Sequence, residues 1–167
     1  MAPNNRKKSG RAKKTEAKPP TAGGGGGVDA AAKARAQEFK AAGNTAFSAG
    51  KYEEAINQFT LAILEDGTDP VFYSNRSACY ANLGQFDRAA EDGQKCIQLK
   101  PEWIKGYSRL GLAEFRRGNF PEALKVYNAG LSHEPGNASL KEGVAEVKAA
   151  QRAQVEAAVA KAKGSGE

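Results

Sequence analysis

The sequence predicts an all-α fold of three tandem antiparallel helix pairs and a C-terminal capping helix. Two observations carry this. From Ala30 onward the apolar pattern is helical. The same residue types then return every 34 residues, the mark of a stacked-repeat protein. Gly43, Ser77 and Gly111 form one such set, and Phe39, Tyr73 and Tyr107 another. Gly50, Gly84 and Gly118 form a third, followed by Tyr52, Phe86 and Phe120, then Ala55, Ala89 and Ala123. Ala62, Cys96 and Gly130 share the offset, as do Gly67, Pro101 and Pro135.

Taken in order, residues 1–29 read as a disordered basic and glycine-rich tail. Lysines and arginines come first, then Pro19-Pro20, then Gly23 to Gly27. Such a segment cannot bury enough apolar surface to offset its chain entropy. The repeat domain covers 30–163, with repeats at 36–69, 70–103 and 104–137. Each repeat is two helices joined at Gly50-Lys51, Gly84-Gln85 or Gly118-Asn119. Small residues at 43, 77, 111 and at 55, 89, 123 let the paired helices approach. The aromatics wedge between helices, each burial contributing about 1.5–3 kcal/mol. Asp69-Pro70 opens the middle repeat, since proline suits a first helical position, and Gly84 closes its first helix. The capping helix is placed at 138–163, with Asn137 or Ser139 as its cap. Leu140, Val144, Val147, Val155 and Val159 form a partial apolar stripe on it, and its end beyond Gln151 is expected to project. Residues 164–167 should fray.

Composition narrows the function. No apolar run approaches the roughly 18 residues needed to span a bilayer, so no membrane role is expected. Residues 1–27 hold seven of the 25 basic residues and one of the 19 acidic ones, so they carry the entire +6 charge and the remainder is neutral. That tail is readable as a solvated arm, a nuclear-import signal or a weak nucleic-acid contact. It has no interleaved aromatic to stack on bases. Cys79 and Cys96 fall where the repeat wants small buried side chains, which assigns them to the core.

An enzyme is not expected, because the inventory for one is missing. His133 is the sole histidine and belongs to a helix surface. No cysteine pair has metal spacing, and neither a metal nor a cofactor is implied. Gly50-Lys51 lacks the phosphate-loop spacing and has Tyr52 where a hydroxyl is needed. The glycines at 23–27 follow no strand. Asn75-Arg76-Ser77 matches a glycosylation acceptor but lies mid-helix, in a chain with no secretory signal.

What remains is a polar constellation on the first helix of each pair. Lys40 and Asn44 are four residues apart and share a helix face, as do Lys105 and Arg109. Asn75 lies between them on the middle pair. Three cations and two amides, without a carboxylate, suit an anionic ligand with more than one oxyanion. Arginine supplies a planar fork and lysine a point charge.

The period and residue order resemble the tetratricopeptide repeat, which implies a right-handed superhelix whose first helices line a concave face. The five polar residues resemble, position for position, the dicarboxylate clamp of tetratricopeptide cochaperones. Residues 73–78, Glu91-Asp92-Gly93 and 99–109 look most like the first repeat domain of the Hsp-organising (stress-inducible, Sti-like) proteins, as do Gly130-Leu131 and 140–143. Leu110-Gly111-Leu112-Ala113 is closer to the small glutamine-rich cochaperones. The basic N-terminus matches neither group, and the organising proteins are much longer.

The resemblance implies a non-enzymatic cochaperone that binds the C-terminal Glu-Glu-Val-Asp tail of heat-shock protein 70, or of heat-shock protein 90. Lys40, Asn44, Asn75, Lys105 and Arg109 would hold the two carboxylates of the terminal aspartate. Phe47, Ala78, Ala81, Asn82 and Phe115 would shape the groove upstream of it. The location implied is cytoplasmic, with a nuclear share through the tail. The competing reading is a generic repeat scaffold for another protein partner, its tail acting in nuclear or nucleic-acid association.

Overall fold

A computed structural model describes residues 28–164, and the expectations for residues 1–27 and 165–167 lie outside them. The described residues form seven helices: α1 (Ala30–Ser48), α2 (Tyr52–Glu65), α3 (Pro70–Asn82), α4 (Phe86–Leu99), α5 (Ile104–Arg116), α6 (Phe120–His133) and α7 (Ala138–Gly164). The all-α prediction agrees with this.

Three of the seven helix starts, those of α1, α3 and α7, are set by short polar side chains. Asp29 Oδ1 accepts from Ala32 N–H (2.6 Å), Asp69 Oδ1 from Val71 N–H (2.9 Å) and Asn137 Oδ1 from Leu140 N–H (3.1 Å). Each satisfies an amide that the helix leaves unpaired. Pro70 occupies the first turn of α3.

Within each pair the first helix ends the same way. Gly50, Gly84 and Gly118 have φ of 73°, 72° and 78°. A β-carbon there would touch nothing within 4 Å, so the demand is for left-handed backbone and not for space. The next residue closes the turn: Lys51, Gln85 and Asn119 N–H reach back to the carbonyls of Ala46, Tyr80 and Glu114 at 2.9 Å each.

Each helix packs on its neighbours in sequence. In addition α1 meets α3, α3 meets α5, and α5 meets α7. Among the described residues the even helices α2, α4 and α6 make no such contacts with one another. The odd helices are therefore drawn together and form the inner layer of a curved stack.

Phe59, Phe72, Leu140, Val147, Cys79 and Cys96 are fully buried between the layers. Both thiols are free, and burial pushes them up to about 11 for Cys79 and about 12 for Cys96, which leaves them inert packing groups. Tyr107 Oη donates to the Pro101 carbonyl at 2.7 Å, and Tyr73 reaches the Gly67 carbonyl at 3.3 Å, one repeat earlier. The tyrosine thus fastens the same inter-pair turn twice. His133 is exposed, with Nε2 3.0 Å from Tyr107 Oη.

Of the apolar stripe on α7, Leu140 and Val147 are buried and Val144 packs beside them. Val155 and Val159 are 61% and 46% exposed.

The closest interhelical approach that admits no relief is at Gly93 on α4. A β-carbon there would lie 2.7 Å from the Leu110 amide nitrogen and 2.9 Å from its Cα. Both are backbone atoms of α5, so no rotamer change makes room. Gly93→Ala should therefore cost about 1–3 kcal/mol through overpacking, read as a lower urea midpoint at unchanged slope. An unchanged midpoint would show that α4 and α5 do not approach this closely.

Candidate functional site

The polar residues singled out in sequence fall on the inner helices α1, α3 and α5. Asn44, Asn75, Lys105 and Arg109 line one cavity of about 250 Å³, together with Phe47, Ala78 and Phe59. Helix spacing explains the convergence. Asn75 and Ala78 are three apart on α3, and Lys105 and Arg109 are four apart on α5, so each pair shares a face. The 34-residue register then sets Asn75 and Arg109 at equivalent points of neighbouring repeats.

The amides are pre-ordered: Asn75 Nδ2 donates to Asn44 Oδ1 at 3.1 Å across the α1–α3 seam. That bond engages the Asn44 carbonyl oxygen and one Asn75 amide hydrogen and fixes both side chains at the cavity wall. Arg109 Nε donates to Ser74 Oγ at 3.3 Å, which holds the guanidinium against the fully buried wall of α3.

The cations are electrostatically uncomfortable. Burial lowers Lys105 from its ordinary value, and the neighbouring Arg109 lowers it further. Burial also lowers Arg109. No carboxylate lines the cavity. An anion entering it would relieve both cations.

The other candidates are placed differently. Lys40 is half-buried one turn before Asn44 on the same face of α1 and is outside the set that lines the cavity. Phe47 and Ala78 do line it. Ala81 and Asn82 line a separate cavity further along α3. Phe115 lines neither; its ring packs on Phe120 at 5.8 Å, in the interior between α5 and α6.

Phe59, which lines the cavity, and Ser74, which bonds Arg109 beside it, are positions that the sequence alone does not single out. Phe59 comes from α2, an outer helix. Its ring reaches the groove because Gly43 has no side chain to block it, a β-carbon there lying 2.6 Å from the ring. The glycine was the signal for that approach. Ser74 is a small hydroxyl one residue before Asn75, and only packing reveals that it sits under Arg109.

Curved layers of helix pairs, with a polar cavity on the inner face, define a helical-repeat binding module. The family profile described as tetratricopeptide repeat matches residues 70–103 and 104–137. The Hsp70-Hsp90 organizing protein of Triticum aestivum is 46% identical over 118 residues, covering 71% of this chain and 20% of that one. The heat shock protein sti1 homolog of Schizosaccharomyces pombe is 47% identical over 116 residues, covering 70% and 20%. The chain spans about a fifth of the length of these two relatives. Among solved structures, the first TPR of Spaghetti (RPAP3), bound to an HSP90 peptide SRMEEVD, superposes with a TM-score of 0.70 at 33% identity, covering 77% of this chain and 99% of that one. The chain belongs to the tetratricopeptide-repeat family.

Proposed function

We propose that the chain is a non-enzymatic cochaperone module that captures the C-terminal Glu-Glu-Val-Asp tail of a cytosolic heat-shock chaperone. The 70 class is the first choice and the 90 class the second. Lys105 and Arg109 take the paired carboxylates of the terminal aspartate, with Lys40 as a third cation at the α1 edge. Asn44 and Asn75 grip the main-chain end. Phe47, Phe59 and Ala78 supply the apolar wall for the valine. In this reading the protein works in the cytoplasm, and the basic tail gives it a route to the nucleus.

One observation carries the reading. Two cations, both disfavoured by burial and Lys105 also by the neighbouring Arg109, share a carboxylate-free cavity with a pre-ordered amide pair. Two carboxylates on one residue match that arrangement in charge and number.

The test is titration with a peptide ending in Glu-Glu-Val-Asp, as the free acid and with its C-terminus amidated. Amidation removes one of the two carboxylates and should weaken binding about tenfold or more, since bonds to charged groups contribute roughly 1.5–3 kcal/mol. Added salt should weaken the free acid further. Equal affinity for the two forms would sink the clamp and favour a scaffold that reads an internal segment.

A further inference from the structure

Beyond the clamp the inner face divides into two paths, and they differ in charge. Toward α7 a cavity of about 190 Å³ is lined by Ser108, Arg109, Glu142 and Glu146 among others. Along the α3–α5 seam a cavity of about 260 Å³ is lined by Ala81, Asn82, Phe86, Leu112 and Arg116, with no acidic side chain. An acidic peptide anchored at Arg109 is repelled from the first path and drawn into the second.

The second path repeats the chemistry of the clamp. Asn82 is seven residues after Asn75 on α3, and Arg116 is seven after Arg109 on α5. Seven residues are two helical turns, so each pair keeps one face while advancing about 10 Å. Asn82 and Arg116 are also related by the 34-residue register, as Asn75 and Arg109 are. An amide and a guanidinium therefore line the groove at two levels, and at the second Asn82 Nδ2 also donates to the Ala78 carbonyl at 2.8 Å, which fixes its amide and leaves its second N–H to bond elsewhere.

Resting on the reading above, we infer that Asn82 and Arg116 form a second anion-reading subsite, which selects the first glutamate of a Glu-Glu-Val-Asp terminus. The spacing sets the register. In the polyproline-type helix that unfolded chains favour, a peptide rises about 3.1 Å per residue with three residues per turn. The residue three before the terminal aspartate thus lies about 9 Å along the groove and on the same side as that aspartate. That position is the first glutamate. The second glutamate, two before the end, turns away from α5. Arg116 is exposed, so its effect is that of a solvated ion pair and adjusts specificity without anchoring the peptide.

The experiment is a set of isothermal titrations on the full chain and on Arg116→Gln. The peptides are a parent ending in Glu-Glu-Val-Asp and two variants with the first or the second glutamate changed to glutamine. In the unaltered chain, losing the first glutamate should weaken binding about two- to fivefold. Arg116→Gln should weaken the parent by the same factor and become indifferent to the first glutamate. The effect of the second glutamate should be the same in both proteins. An Arg116→Gln chain that binds the parent unchanged, loses affinity equally for all three peptides, or couples to the second glutamate overturns the assignment. Failure of the unaltered chain to bind the parent overturns the clamp itself, and this subsite with it.

Discussion

Arg109→Ala is expected to weaken binding of a Glu-Glu-Val-Asp peptide by about 2–5 kcal/mol, roughly thirtyfold to over a thousandfold. The size follows from where Arg109 sits. It is half-buried and bonded to Ser74, so its fork is aimed before the ligand arrives. Its desolvation is already reflected in the lowered pKa, so the ligand's carboxylate meets a charge that has shed much of its water. Truncation leaves that carboxylate desolvated with one partner gone. Lys105 is more exposed, and Lys105→Ala should cost less and respond more to salt. Arg109→Lys should restore little, because an ammonium cannot form two parallel bonds to a carboxylate. Titration calorimetry measures all three, with circular dichroism to verify that the variants remain folded. An Arg109→Ala chain that binds within threefold of the original would remove Arg109 from the clamp.

The scaffold was legible where one residue type answers one physical demand. A left-handed turn asks for glycine, and Gly50, Gly84 and Gly118 repeat it at the same offset. A helix start asks for a short acceptor followed by proline, and Asp69-Pro70 gives both. The α3–α5 side of the site was legible for the same reason: register and helix period place Asn75, Lys105 and Arg109 together without knowledge of packing. What stayed hidden depends on which way a side chain turns after the helices dock. Phe115 is one position from Arg116, yet its ring goes inward to Phe120 while Arg116 lines the groove. Val155 and Val159 continue an apolar stripe but stay largely exposed, Val155 across an open cavity from Phe120 and Pro121. Arg76 could be read only as a neighbour of Asn75, since its partners lie on two other helices.

Arg76→Ala should destabilise the fold by about 3–5 kcal/mol, as much as truncating a fully buried phenylalanine. The guanidinium makes a two-pronged bond to Asp92 on α4, Nε to Oδ2 at 2.8 Å and Nη2 to Oδ1 at 2.7 Å. Its third nitrogen donates to Thr60 Oγ1 on α2 at 3.0 Å. The Tyr73 and Tyr80 rings flank it, each centroid 5.8 Å away. One side chain of α3 thus ties the second helices of two consecutive pairs. Exposure of the two side chains is 17% for Arg76 and 6% for Asp92. Burial works against the Arg76 charge, yet the paired carboxylate outweighs it and holds the guanidinium above its ordinary value. Burial pushes the Asp92 carboxyl up, and Arg76 draws it back only in part. The pair is therefore no large net source of stability, and its danger lies in being broken.

Without Arg76, Asp92 is a buried carboxyl with no counter-charge, and its folded-state pKa rises further. A group with a raised folded value favours folding fully below its unfolded value and loses that contribution as pH climbs through the folded one. The deficit of Arg76→Ala relative to the original chain should accordingly be full at neutral pH and shrink as pH falls toward about 4, the ordinary aspartate range. Adding Asp92→Asn to Arg76→Ala removes the stranded charge and should recover part of the loss at pH 7, with little left to titrate. Urea unfolding of the three chains across this pH range reads both effects. A single-variant loss under about 1 kcal/mol, or a deficit that stays constant into acid, would mean that water reaches Asp92 once the arginine is gone.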